Sequence, residues 1–209
     1  MQTFFNFKNA LSAVIVSASL AHGVAALAQA TPAAPMRIRG TVTKITDDSF
    51  DVAVKGGKVS TLKLSPDATF MAVGHAAITD IKSDTFIGST AIPQPDGTLK
   101  ALEVHVFPAG MKSGEGHYAW DLGGSKSTMT NGTVGSVVES SGRTITVKYP
   151  NGEKQIVIPA DVPIVSLEKG DRSLMVTGAH GVFFLTKAAD GSQVVGRAAV
   201  GKGDVVPPM

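Results

Sequence analysis

Two stretches of this chain follow one plan. Arg39-Gly40-Thr41-Val42 opens the first and Asn131-Gly132-Thr133-Val134 opens the second. In the first, Phe50, Val52 and Val54 alternate, Gly56-Gly57 intervenes, and Leu62 and Leu64 alternate after it. In the second, Ile145, Val147 and Tyr149 alternate, Asn151-Gly152 intervenes, and Ile156 and Ile158 follow. Apolar spacing of period two around Gly-Gly or Asn-Gly signals a hairpin, because those residues accept the positive φ of tight primed turns. Pro66-Asp67-Ala68-Thr69 and Pro159-Ala160-Asp161-Val162 then mark a break after the third strand. Asp96-Gly97-Thr98 and Asp190-Gly191-Ser192 mark a further turn before the last strands, Leu99 to Phe107 and Gln193 to Val200. The matched points lie 92 to 95 residues apart, which points to a duplicated unit.

The expected fold is therefore all-β, with two tandem five-stranded OB-like small β-barrel repeats. The first spans 36–108, the second 131–205, and a Gly/Ser-rich inter-barrel loop spans 109–130. Closure removes the free edges that short sheets expose to aggregation. Outside the strands only Ala76 to Ile81 reads as a short turn.

The N-terminus sets the expected compartment. Lys8 precedes an apolar run from Ala10 to Ala28, and small residues at Ala26, Ala28 and Ala30 offer cleavage before Gln29 or Thr31. This is the pattern of a secretory signal peptide over 1–30, so the protein is expected to be periplasmic or secreted. No Cys follows to take a lipid anchor, and zero Cys in an exported chain leaves stability to the hydrophobic core. Lys+Arg number 19 against 17 Asp+Glu, with no basic cluster, so nucleic acid is not an expected partner. No later apolar run reaches the ~20 residues of a membrane span.

Some motifs resemble a known group. Arg39 to Val42, Pro93 to Leu99, Glu103 to Pro108, Gly114 to His117 and Ser127 to Asn131 are similar to stretches of an exported bacterial family whose domain has no known function. The resemblance implies small OB-like barrels and export, and it implies no activity or site. Some members bear the name of a metal-transporter permease, but a permease needs several spans and this chain keeps none after its signal.

Two groups of residues could carry chemistry. The 109–130 loop holds the only Trp, Trp120, together with Tyr118, Glu115, His117 and Asp121. Trp120 either plugs the seam between the barrels or joins Tyr118 as a stacking platform for a sugar or other flat ligand. Along the neighbouring strand, Glu103, His105 and Phe107 form one face and Leu102, Val104 and Val106 the other. Glu103 and His105 therefore project together. Were the loop to fold back, Glu115, His117 and Asp121 could join them to hold zinc or a similar divalent ion. The matching positions of the second repeat are Arg197 and Ala199, so such a site would belong to the first repeat alone.

Other features point nowhere in particular. His75 and His180 read as solvated loop histidines, and the methionines are scattered, without the clustering of a soft copper site. Gly124-Ser125-Lys126-Ser127 lacks the order of a phosphate loop, and no Gly-x-Ser-x-Gly or Ser-x-x-Lys is present. The expectation is a periplasmic, non-catalytic protein without a cofactor, binding an unidentified ligand or protein partner through a barrel face or the inter-barrel loop. The alternative is a divalent-metal-binding protein using His105, His117 and nearby carboxylates.

Overall fold

The computed structural model describes residues 36–124, 126–138 and 143–209. The signal peptide expected over 1–30, with its cleavage sites, lies outside them. The described chain is all-β, with twelve strands and two short 3-10 turns. The strands are β1 (Arg37–Ile45), β2 (Ser49–Val54), β3 (Val59–His75), β4 (Phe86–Pro93), β5 (Leu99–Val106) and β6 (Gly116–Ala119). They continue as β7 (Thr128–Val138), β8 (Thr144–Tyr149), β9 (Gly152–Val157), β10 (Ile164–Gly170), β11 (His180–Lys187) and β12 (Gln193–Gly201). No helix among the described residues is long and apolar enough to cross a membrane.

One hydrogen-bonded sheet runs through all the strands and closes on itself. β1, β2, β3, β12 and β11 form a closed five-stranded barrel, sealed by the parallel pairing of β12 with β3. β4, β7, β8, β9 and β5 form a second circuit, sealed where Leu99 and Lys100 pair with Ile156 and Val157. β10 joins the two circuits by pairing with β3 on one side and β5 on the other. Membership of the circuits crosses the segments expected from sequence. The β4–β5 hairpin, within 36–108, closes against β7, β8 and β9, while β11–β12, within 131–205, closes against β1, β2 and β3. Neither 36–108 nor 131–205 closes a barrel by itself.

The alternating residues account for the packing. Val42, Phe50, Val52, Phe183, Val195 and Ala198 are buried in one core, within the first barrel. Ile87, Val104, Val134, Ile145, Val147 and Ile156 are buried in a second core, within the other circuit. A third cluster gathers where β3 meets β10, around Val73, Leu167, Val182, Ala199 and Met209. Fully burying one such side chain is worth ~1.5–3 kcal/mol, which gives each ring its own source of stability without disulfides.

Turn chemistry follows the sequence in most places. Gly56 and Gly57 both take positive φ between β2 and β3. Asp96 and Asp190 each accept bonds from the residue two further on, Thr98 and Ser192, with Gly97 and Gly191 at positive φ between them. The Asn151-Gly152 turn differs. Tyr149 already pairs with Gly152, so Pro150 and Asn151 take the corner. Proline's fixed negative φ excludes a primed turn there. The break expected at Pro66 to Thr69 is instead a register shift inside the unbroken β3, which skips from Leu64 to Thr69 against β12. The 109–130 loop also contains structure, since β6 pairs with the start of β7.

Candidate functional site

The alternation of β5 decides the first wall of the site. Val104 packs inward, so Glu103 and His105 both point out of the second circuit. That face is covered. Glu103 is 0% and His105 4% exposed. A carboxylate removed from water needs hydrogen-bond donors, and Glu103 has three. Its Oε1 accepts from Thr90 N at 2.7 Å and Thr90 Oγ1 at 2.8 Å, and its Oε2 lies 3.0 Å from His105 Nδ1. The Nδ1 proton therefore faces the carboxylate, and Nε2 is the free ring nitrogen.

Strand register places the partner of that nitrogen. Gly88 of β4 stands opposite His105 on one side and Asn131 of β7 on the other. A Cβ at Gly88 would overlap both His105 Nε2 and Asn131 Oδ1, so the two side chains meet in the space that glycine leaves. Asn131 Nδ2 donates to Gly114 O at 3.0 Å and to Tyr118 Oη at 2.9 Å, which fixes the amide's orientation. Its Oδ1 is buried without a donor. Two acceptors thus converge, and one donor is what this row lacks.

The second wall is the outer face of the first barrel. Arg37 of β1, Phe184 of β11 and Arg197 of β12 stand in one row, and Arg39, Val182 and Ala199 in the next. Asp121 joins Arg37 at 2.9 Å and Arg39 at 2.8 and 3.1 Å. The hydrogen bond from Arg39 is the largest cause holding the Asp121 carboxyl below its ordinary pKa, ahead of the charges of both arginines. Arg37 Cζ lies 3.5 Å from the centre of the Trp120 ring, a close cation–π contact. Arg197 Cζ sits 4.1 Å from the centre of the Phe184 ring. Burial pushes the Arg197 guanidinium below its ordinary pKa, with Tyr118 opposing and Arg37 adding to the shift.

Between these walls lies a cavity of about 1100 Å³. Phe70, Phe107, Phe184, Leu167 and four methionines (Met71, Met111, Met129 and Met209) make up much of its lining. Methionines dispersed in sequence are thus gathered in space. His105, Asn131, Tyr118, Trp120 and Arg197 reach the same cavity. Tyr118 and Trp120 stand 6.0 Å apart between ring centres and tilted by 58°, so they form a corner of the wall and are not parallel plates.

The five residues considered for a metal are not brought together. Glu103 and His105 pair, Asp121 is held by arginines, and Glu115 is exposed. His117 pairs with Thr130 and Tyr118 with Met129, so the two project from opposite faces of β6. His117 Nδ1 bonds Thr130 Oγ1 at 2.8 Å and the ring stacks 6.3 Å from that of Tyr149. Burial, then the charge of Lys154, lowers the His117 pKa. Among the described residues no three His, Cys, Asp or Glu side chains converge. Sequence reading did not single out Gly88, Asn131, Phe184 or Arg37. The one available signal was Arg197, at the position matching Glu103.

No family model, curated protein or solved structure matches the chain. The similarity to an exported family therefore stands on the quoted motifs alone.

Proposed function

We propose that this is an exported, non-catalytic binding protein that holds a small organic molecule in the cavity between β5 and β12, beneath the 109–127 segment. The observation that carries the reading is the cavity itself. Its volume of about 1100 Å³ and its lining of phenylalanines and methionines suit an apolar body. Ligand sites typically span ~300–1,000 Å³ and combine an apolar lining with a few directed polar groups. Methionine side chains adapt to varied apolar shapes, which favours binding over catalysis here.

Titration with 1-aminoanthracene, an uncharged dye that brightens in apolar surroundings, tests the reading. Wild-type protein is expected to bind one dye per chain, and Ala199→Phe, which fills the wall at a buried lining position, is expected to abolish the site. Equal binding by both proteins, or none by either, overturns the proposal.

One observation favours a second reading, in which His105 takes a divalent metal. Metal-binding histidines usually donate their other nitrogen to a carboxylate, as His105 does to Glu103. Nε2 and Asn131 Oδ1 are then the donors to the ion. Thermal shifts across a zinc, copper and nickel panel, lost in His105→Ala, support this reading. No shift in wild-type protein removes it.

We also read the chain as a duplicated unit whose last hairpins have been exchanged. The β3–β10 pairing supports this, since Val73 stands opposite Leu167 and the flanking pairs are Met71–Lys169 and His75–Val165. Those positions correspond by repeat, so the junction has approximate two-fold symmetry. Gly40 and Gly132 add support, because a Cβ at either would strike the matching backbone carbonyl, Ala53 O or Lys148 O.

A further inference from the structure

We infer that the ligand is an amphipathic organic anion, with its charged head on Arg197 and its apolar body among the phenylalanines and methionines. This rests on the cavity reading above and adds the ligand's charge.

The inference comes from an imbalance on the outer face of the first barrel. Three arginines project there, and among the described residues a single side-chain carboxylate, Asp121, serves two of them. Arg37 and Arg39 are ion-paired, Arg37 also carries Trp120 on its face, and Arg39 Nε donates to Met209 O at 2.8 Å. Among the described residues Arg197 makes no hydrogen bond or ion pair, and it stacks on Phe184 alone. It lines the cavity with its side chain exposed to solvent, within reach of an incoming ligand. A guanidinium held against an aromatic ring at an apolar cavity, with no counter-ion from the described residues, is a receptor for an anion.

The lining holds three acidic residues, Asp47, Asp48 and Asp171, and none forms an ion pair with Arg197. Asp171 is engaged with Ser173 N, and Asp48 with Ser49 and Thr46. The nearby cation Arg172 is engaged with the carbonyls of Thr46 and Asp47. Lys169 also lines the cavity and forms no ion pair among the described residues. Arginine's planar fork matches a carboxylate with two parallel hydrogen bonds, and its stacking on Phe184 leaves the edge of the guanidinium for that purpose. Beyond the head, Phe70, Phe107, Met71 and Leu167 offer an apolar path.

The test compares dodecanoate with dodecanol by calorimetric titration of wild-type, Arg197→Gln and Arg197→Lys proteins. Dodecanoate is expected to bind wild-type protein more tightly than dodecanol. The ratio of the two affinities is expected to fall about tenfold or more in Arg197→Gln, the effect of one lost charge-assisted contact. Arg197→Lys, which keeps the charge, is expected to recover part of the ratio. Dodecanol reports on the cavity in each variant, so a fold defect shows as loss of both ligands. A wild-type preference for dodecanol, or a ratio unchanged by Arg197→Gln, overturns the anion assignment and leaves the cavity reading intact. Binding of neither ligand by wild-type protein overturns both.

Discussion

Removing the Glu103 carboxylate while keeping its shape separates the two roles of that side chain. Glu103→Ala leaves Thr90 N–H, a fully buried donor, without an acceptor. The Thr90 hydroxyl can turn elsewhere, and the His105 proton can move to Nε2, so those two donors cost less. An orphaned buried amide costs ~1–3 kcal/mol, and the lost side-chain volume adds about 1–2 kcal/mol. The expected destabilisation is about 3 kcal/mol. Glu103→Gln retains the oxygen facing Thr90 and turns its amide toward His105 Nδ1. The imidazole then becomes protonated on Nε2, where Asn131 Oδ1 lacks a donor, so the expected cost is about 1 kcal/mol. Urea unfolding at neutral pH measures both, with equal slopes required for the comparison. Nitrogen chemical shifts of His105 report the change of tautomer directly. An alanine variant no less stable than the glutamine variant, or an unchanged tautomer in Glu103→Gln, refutes the reasoning.

Three further outcomes follow from the same contacts. Trp120→Ala removes a half-buried ring and its contact with Arg37, and is expected to lower stability by about 2–3 kcal/mol in urea unfolding; a loss under ~0.5 kcal/mol contradicts its packing role. Gly88→Ala forces a Cβ into His105 and Asn131, and is expected to cost about 1–3 kcal/mol by the same assay, whereas a neutral effect means the row is not tightly packed. Asp121 has a depressed folded-state pKa, so its contribution is present above the unfolded value near ~3.9 and is lost as pH falls through the folded value. The stability gap between wild-type and Asp121→Asn protein is therefore expected to close only in acid below about pH 4, and a gap that widens there contradicts the assignment.

Local pattern carried much of the fold and little of the site. Alternation at Phe50, Val52, Ile145 and Val147 points to strands because each inward residue must be buried, and the structure buries all four. Which strand closes which ring was not legible. Closure depends on long-range pairings such as Val195 with Leu64, and period two is the same whichever partner a strand takes. The site divides along the same line. Glu103 and His105 could be placed on one face from the period of β5 alone, yet their burial depends on tertiary packing that the pattern does not reveal. Asn131 reads in sequence as a strand opener, and no pattern in the sequence marks Gly88. Their roles arise only from three-strand register, Asn131 beside Gly88 beside His105.

Trp120 is the only tryptophan in the chain and it lines the cavity, so its fluorescence reports on occupancy without a label. The most direct test of the account is titration with 12-bromododecanoate, whose bromine quenches a tryptophan it approaches. Saturable quenching at one ligand per chain, reversed by unbrominated dodecanoate, is the result the account predicts. Fluorescence that falls linearly without saturation, or that unbrominated dodecanoate fails to restore, would contradict it.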